Sequence, residues 1–349
     1  MSRKKQYLEI DVLSAAKDRI RHIIDIHDSV AVCFSGGKDS LVALHLTKEV
    51  LAERGINKVN VVFRDEELIE NSVIEFVQSY KKQPWVNMLY FAVPLYSTKY
   101  ILGRSYQYIQ WDPNRDHVRP MPDDAIRLKA GDNRVFDQYS MDEFTAKYFI
   151  GKLALITGIR SSESLMRYRA SVNKLNDNYI NFSSSDRVSL CKPIFDWEEN
   201  DIFKYFYDNK ISYCMVYDHQ LLAGCSLRVS TPIHAEQSKR IGTLRKIDPE
   251  FYDRVLKVFP EMEVQERYYS SLDREAIKSK YGLDMEGVRS YIDDTFTEEN
   301  QHKIAIQRWR DIYRLNKQFP DAYSTMHALK YFMSGSFKRM MLPNKKKLK

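Results

Sequence analysis

A β-branched apolar run that halts at a serine and two glycines, then passes at once into an amphipathic helix, leaves a chain few architectures. Residues 30–46 read Val-Ala-Val-Cys-Phe-Ser-Gly-Gly-Lys-Asp-Ser-Leu-Val-Ala-Leu-His-Leu, a strand, a tight loop and a helix N-terminus in series. Gly36 and Gly37 admit backbone angles that a Cβ forbids and let amides approach a ligand closely. The unpaired N–H groups of the first helical turn, with the positive end of the helix dipole, form an anion site. Ser35, Lys38 and Ser40 add two hydroxyls and an ammonium group to the same concavity. Ser35, Gly36, Gly37, Lys38, Asp39 and Ser40 are therefore the candidate nucleotide-binding residues, and pyrophosphate is the natural guest. The spacing is not that of the Walker loop, which ends in Gly-Lys-Ser/Thr after four intervening residues. Nor is it the dinucleotide fingerprint, whose third glycine is missing. The plain alternative is a Gly-rich βα turn with no ligand.

The strand-then-helix rhythm continues along the chain. A helix is expected over about 9–27, strands over 30–35, 59–63, 87–93 and 152–157, and helices over 40–54 (ended by Gly55), 71–81 and 198–209. Residues 179–182 and 188–190 read as a hairpin. Such alternation implies an α/β fold, a doubly wound, mainly parallel sheet with ligand at the carboxyl ends of its strands. Residues 103–140 interrupt the rhythm with Trp111, several prolines and many charges, and read as an ordered lid or acceptor-binding insertion. From about residue 235 the pattern turns helical (233–246, 249–259, 273–282, 297–317, 324–331). The expected division is an N-terminal helix over 1–27, a nucleotide-binding domain over 28–234 and a mostly helical, basic C-terminal region over 235–349.

Composition narrows the class. Of 349 residues, 44% are apolar, enough for a full core, and no apolar run approaches the roughly 18 residues of a membrane span. The first residues, Met-Ser-Arg-Lys-Lys-Gln, lead into a polar amphipathic stretch, and a cytoplasmic protein without a membrane partner is expected. Four scattered cysteines, Cys33, Cys191, Cys214 and Cys225, do not make a disulfide framework, and without a C-x-x-C pair neither a zinc site nor an iron–sulfur cluster is expected. Residues 301–349 hold twelve Lys or Arg against two acids, a balance of +10 within a net charge of +7, so residues 1–300 sum to −3.

Two further segments carry polar chemistry. Ile156-Thr-Gly-Ile-Arg-Ser-Ser-Glu-Ser-Leu-Met-Arg-Tyr-Arg169 is again a strand, a glycine turn at Gly158 and a helix start. Arg160 and Arg167 lie two helical turns apart with Glu163 between them, so both can face one site, and guanidinium groups suit phosphate. Solvent-facing arginines with Glu163 serving the helix dipole are the alternative. Lys192-Pro-Ile-Phe-Asp-Trp197 places Asp196 as a helix N-cap, and Tyr217-Asp-His-Gln-Leu-Leu-Ala-Gly-Cys-Ser-Leu-Arg228 reads as a polar loop.

In this order, SGGKDS, TGIRSSES…R, KPIFDW…DIF and YCMVYD…AGC resemble the phosphoadenosine phosphosulfate (PAPS) reductase family and its relative, the ATP sulfurylase small subunit. Both belong to the PP-loop ATP pyrophosphatase superfamily, whose fold is of the adenine nucleotide α-hydrolase type. The resemblance covers about residues 28–230. The Trp-Asp-Pro…Val-Arg-Pro-Met-Pro insertion and the Thr-Gly-Ile-Arg-x-x-Glu-Ser-Leu-x-Arg-Tyr-Arg form are similar to a phage- and prophage-associated branch that includes the immunoglobulin-binding regulator A type, encoded beside ParB-like partners. Sulfonucleotide reductases use a cysteine in a C-terminal Glu-Cys-Gly-type tail. Here no cysteine follows Cys225, and a thiol nucleophile needs a thiolate, so the reductase reaction has no obvious route.

The resemblance implies ATP, with its β and γ phosphates on the loop amides and Mg²⁺ between them. Lys38, Asp39, Arg160 and Arg167 are the implied catalytic residues. Gly158 and Glu163 join the loop in holding nucleotide, and Asp65 stands where relatives carry an acid near it. Two roles stay open for Asp39, holding Mg²⁺ through water or capping the helix, and Asp65 is equally a loop carboxylate beside Glu66 and Glu67. The implied reaction is adenylyl transfer to sulfate, a nucleic-acid base or another oxyanion. The competing readings are a regulatory protein that retains the nucleotide fold, or a sulfur-transfer component of DNA or RNA modification. Basic residues 301–349, with Trp309 and Tyr313 among arginines, would then contact nucleic acid, unless they are a solvated face and tail. A homo-oligomer is compatible with either reading.

Overall fold

Eight strands carry the described chain: β1 (Ser29–Cys33), β2 (Val59–Arg64), β3 (Val86–Phe91), β4 (Leu95–Ile101), β5 (Arg104–Gln110), β6 (Leu153–Ile156), β7 (Ile180–Phe182) and β8 (Val188–Cys191). The computed structural model describes residues 9–163, 167–168, 177–183, 186–225, 227–239, 241–269, 274–335, 337 and 339–344. Six strands form one sheet in the order β3-β2-β1-β6-β8-β7. All its pairs are parallel except β7 with β8, the expected hairpin. The chain steps outward from β1 through β2 to β3, then returns across β1 to place β6 on its other side. That reversal is a topological switch point, where open α/β sheets bind ligands.

Both faces of the sheet are buried, which is why its strands read as continuous apolar runs rather than alternating ones. Val32, Val61, Phe63 and Ile156 face the helices α1 (Val12–Ile26), α2 (Lys38–Glu53) and α3 (Asn71–Lys81). Ala31, Val62, Leu153 and Leu155 face Phe136, Met141 and Ala146, residues of α4 (Gln138–Ala146) and the segment before it. The α/β, mainly parallel reading of the sequence therefore holds, as does the helical character after residue 235.

The chain divides into two compact units that differ from the expected linear boundaries. One comprises residues 1–96, 109–231 and 246–254, the other residues 97–108, 232–245 and 255–349. The helix expected over about 9–27 belongs with the sheet, because Ile20 and Ile23 are buried in the sheet core. The interruption expected over 103–140 begins earlier, as a β4–β5 hairpin. Its tip donates Leu102 N–H to Gln265 Oε1 at 2.6 Å, a partner no local pattern could announce.

The second unit has its own core. Helices Met285–Thr295, Glu299–Gln318 and Thr325–Met333 bury Val288, Ile292, Trp309, Ile312 and Phe332 together. Trp309 is thus a core residue: its indole N–H donates to the Met285 carbonyl at 2.8 Å and its ring stacks on Tyr313 at 5.1 Å. Arg308 and Arg314 both pair with Asp311 on the same helix. No described helix is long and apolar enough to cross a membrane.

Candidate active site at the switch point

The loop after β1 folds as its residues dictate. Gly36 sits at φ +73°, and a Cβ there would lie 2.8 Å from Val73 Cγ1, so glycine is required twice over. Gly37 is the N-cap of α2, which starts two residues earlier than its apolar pattern suggests and so brings Lys38 and Asp39 into its first turn. Ser40 Oγ donates to the Gly37 carbonyl at 2.9 Å and accepts from the Ser35 amide at 3.2 Å. Ser35 Oγ accepts from the Gly37 amide at 3.3 Å. The two serines therefore brace the turn from inside.

The second motif arrives from β6, next to β1 in the sheet. Gly158 rests on the first turn of α2: a Cβ there would stand 2.5 Å from both the Asp39 carbonyl carbon and the Ser40 nitrogen. Only glycine allows that approach. Arg160, almost fully buried, then donates from Nε to Asp39 Oδ1 at 2.5 Å. Its amide and its guanidinium hold Glu163 and Ser162 at 3.3 and 3.1 Å, and Glu163 in turn pairs with Arg167. Arg160, Glu163 and Arg167 thus form one relay that ends on Asp39. Residues 164–166 and 169–176, which include much of the expected helix start, lie outside the described residues.

Three partners of this site were not legible in the sequence. The segment expected as a polar loop contains a helix, Val216–Leu222, which carries Tyr217 over the loop. Its phenol accepts from the Lys38 amide at 2.7 Å, and burial raises its pKa further above the ordinary tyrosine range. The Lys38 ammonium is itself buried, 3.2 Å from the Leu227 carbonyl and 3.2 Å from Glu199. Glu199 opens the helix Glu199–Asn209, whose N-cap is Glu198 rather than the expected Asp196. Asp196 instead forms a two-pronged ion pair with Arg19 at 2.8 and 2.7 Å, so its carboxylate is spent on fastening α1.

Asp65 stands apart from this cluster. Its buried carboxylate is bound by Arg119, by the Tyr90 hydroxyl at 2.6 Å and by the Glu67 amide at 2.9 Å. Beside it, Glu67 takes both terminal nitrogens of Arg115 at 2.7 and 2.6 Å, with the amides of Trp111 and Val118 at 2.6 and 3.0 Å. Glu67 and Trp111 both hold positive φ, 63° and 50°, a conformation that costs non-glycine residues about 1–2 kcal/mol each. Two buried acids at the end of β2 thus clamp the insertion in an ordered conformation.

As a direct magnesium ligand Asp39 is a poor fit. One oxygen is taken by Arg160 and the other faces Lys38 at 3.4 Å, so two cations already neutralise it. Among the described residues no group of three or more His, Cys, Asp or Glu side chains converges on a metal position. The thiols of Cys33 and Cys214 are pushed up to about 11 by burial, which keeps both as neutral packing groups.

A family model for the phosphoadenosine phosphosulfate reductase domain matches residues 29–255, a span that holds every residue of the site. The uncharacterized protein YbdN of Escherichia coli strain K12 is 31% identical over 272 residues, 72% of this chain and 66% of that protein. Among solved structures, FMN adenylyltransferase of Candida glabrata superposes with a TM-score of 0.40 at 14% identity, over 60% of this chain and 58% of that one. The PAPS reductase of Candida auris gives 0.36 at 12% identity, over 65% and 100%. The chain therefore spans just under two thirds of the curated relative and 58% of the adenylyltransferase, and superpositions this loose carry no chemistry across.

Proposed function

The chain belongs to the phosphoadenosine phosphosulfate reductase domain family, and from that premise we propose that it binds ATP at the switch point and cleaves it between the α and β phosphates. The observation that supports this most is the 2.5 Å contact between Asp39 and Arg160, which joins the glycine loop and the arginine motif into one site. An acceptor oxygen attacks the α phosphorus, the α–β P–O bond breaks, and pyrophosphate leaves with the bonding electrons. The amides at the start of α2 and the Lys38 ammonium stabilise the charge that develops on pyrophosphate. Arg160, steadied by Glu163 and Arg167, meets the α phosphate or an anionic acceptor. Magnesium arrives with the nucleotide phosphates, as substrate, since Asp39 offers no free carboxylate. Sulfate, a nucleic-acid base or another oxyanion is the acceptor.

The reaction proceeds without a thiol. Cys33 and Cys214 are raised by burial, away from the thiolate that reduction would use. A second reading has a specific observation in its favour. The Lys38 amide, the Lys38 ammonium and Asp39 all have protein partners, as expected of a nucleotide fold kept for regulation. The phage-associated branch with its ParB-like partner belongs with that reading, as does nucleic-acid contact by residues 301–349.

One assay separates the two. Pyrophosphate release from ATP and magnesium is measured alone and with sulfate, DNA or tRNA, for the wild type, Lys38→Ala, Arg160→Ala and Cys225→Ser. Acceptor-stimulated release that falls at least a hundredfold in the first two variants and persists in the third is expected, in line with the loss of about 3–4 kcal/mol for one preorganised charge stabiliser. ATP binding without release under any condition would leave the regulatory reading. Loss of release in Cys225→Ser would return the thiol route.

A further inference from the structure

The amide and the ammonium of Lys38, with which the glycine loop would meet a phosphate, are both covered by one short stretch of chain and a neighbouring helix start. Tyr217 accepts from the amide at 2.7 Å, and its ring stands 5.3 Å from the ammonium. The Leu227 carbonyl and the Glu199 carboxylate meet that ammonium at 3.2 Å each. A Cβ on Gly37 would lie 3.2 Å from the Tyr217 hydroxyl and 3.8 Å from Val229 Cβ, so the same stretch lies against the loop backbone as well. Its two ends are fastened elsewhere: the Cys214 thiol donates to the Ser72 carbonyl at 3.6 Å, and Thr231 Oγ1 donates to Glu66 at 2.9 Å. Between these ends Gln220 joins the outgoing and returning chain. It accepts from the Arg228 amide at 2.8 Å and donates to the Arg228 carbonyl at 2.7 Å. Gly224 makes the turn at φ +67°, with open space where a Cβ would stand. Leu221 and Leu222, just before it, are 67% and 87% exposed.

We infer that residues 215–225 and 227–230 form a strap that closes the empty loop and is displaced by the phosphates of the incoming nucleotide. The Lys38 N–H points at the phenol, so a phosphate oxygen that takes this N–H must take the phenol's place. An ammonium group has three N–H donors, and Leu227, Glu199 and Asp39 (at 3.4 Å) face the one on Lys38; a phosphate reaches it by replacing one of them. Closed strap and bound nucleotide therefore exclude each other, and each shifts the population of the other. The strap is built to yield. Its helix has seven residues and buries Val216, Tyr217 and Gln220 alone among them, the sparse packing of a segment that opens well before the whole protein unfolds. Apparent affinity falls with the fraction of molecules held closed, so the strap sets the nucleotide concentration at which the site responds. The inference rests on the switch point as the phosphate site, and adds that the protein itself guards it.

The test is hydrogen exchange and calorimetry of the full chain as wild type, Glu199→Gln and Gln220→Ala, each alone, with ATP and magnesium, and with pyrophosphate and magnesium. In the wild type either ligand is expected to speed exchange of amides 217–225 at least tenfold while slowing those at 35–40. Without ligand, both variants should already speed exchange at 217–225 about three- to tenfold, and ATP should bind each about three- to tenfold more tightly than the wild type. Gln220 bonds the Arg228 backbone and not the loop, so a gain in affinity there reports on the strap. If its circular dichroism shows that Gln220→Ala does not fold, the half-exposed Glu199→Gln carries the same test through its ligand-free exchange. Pyrophosphate that frees the strap where ATP does not bind would uphold the strap and overturn the nucleotide reading. ATP bound with amides 217–225 unchanged or slowed, or weaker ATP binding by a folded Gln220→Ala, would overturn the strap and leave that reading standing. Binding of neither ligand by any of the three proteins would overturn both.

Discussion

Tyr217 carries the most unusual contact of the site, because its hydroxyl occupies an amide that a phosphate would want. Removing it should separate two effects. In Tyr217→Phe the Lys38 amide is left buried without its acceptor, which costs about 1–2 kcal/mol of stability in the absence of ligand. ATP then meets no competitor, and its affinity should rise about five- to tenfold. Melting temperature and calorimetric titration, each with and without ATP and magnesium, read both; a fall in ATP affinity would make the phenol a ligand contact and not a plug. Glu70 makes a second residue-scale case. Burial first, and the nearby Asp248 second, raise its pKa from 4.5 to about 7. Between those values the folded protein holds a proton that the unfolded chain has lost, so stability falls as pH rises through that window and is level on either side. Glu70→Gln should match the wild type near pH 4 and exceed it at pH 8 by up to about 3 kcal/mol. Urea unfolding at the two pH values decides, and an equal gain at both would sink the idea. The sequence shows neither residue as special. Tyr217 lies 179 positions from Lys38, and Glu70 is one of four acids within residues 65–70, its burial set by tertiary packing.

At the scale of elements, the two motifs that the sequence made legible are those in which glycine and charge meet at a strand end. SGGKDS and TGIR announce themselves because each needs backbone freedom at a fixed distance from a helix start, and Gly36 and Gly158 are constrained as that reasoning requires. The clamp at the end of β2 was illegible for the opposite reason. Glu67, Arg115 and Arg119 look like surface charges in a loop, and only the fold takes them out of water. Asp65, expected beside the nucleotide, takes part in that clamp through Arg119 and Tyr90. Removing one partner of a buried pair leaves the other charge uncompensated, at a cost of about 3–5 kcal/mol. Arg119→Met should therefore destabilise the protein by that order and expose residues 111–119 to protease, while Asp65→Asn added to it should recover part of the loss. Denaturant midpoints and limited proteolysis of the three proteins measure this. Full additivity of the two substitutions would show that Arg119 and Asp65 do not act as a pair.

At the scale of the molecule, contiguous domains were the natural reading of a chain whose β pattern fades near residue 235. The compact units interleave instead, because residues 97–108 find their partners beyond residue 230 and residues 246–254 return to the sheet unit. No periodicity encodes such a return; it follows from contacts over more than a hundred positions, such as Leu102 with Gln265. The same interleaving gathers Lys239, Lys278 and Lys330 around one cavity, lysines that a linear reading files as scattered surface charge. A ligand that binds only the folded state stabilises what it touches by RT ln(1 + [L]/Kd), about 2.7 kcal/mol at a hundredfold excess over Kd. Hydrogen exchange should therefore map ATP to its place in the chain. ATP with magnesium should slow amides at residues 35–40 and 157–163 in the wild type, and far less in Lys38→Ala. A stabilisation near 2.7 kcal/mol corresponds to about a hundredfold slowing for amides that exchange by local opening. If ATP left those amides unprotected, or protected them equally in Lys38→Ala, the switch point would not be the nucleotide site.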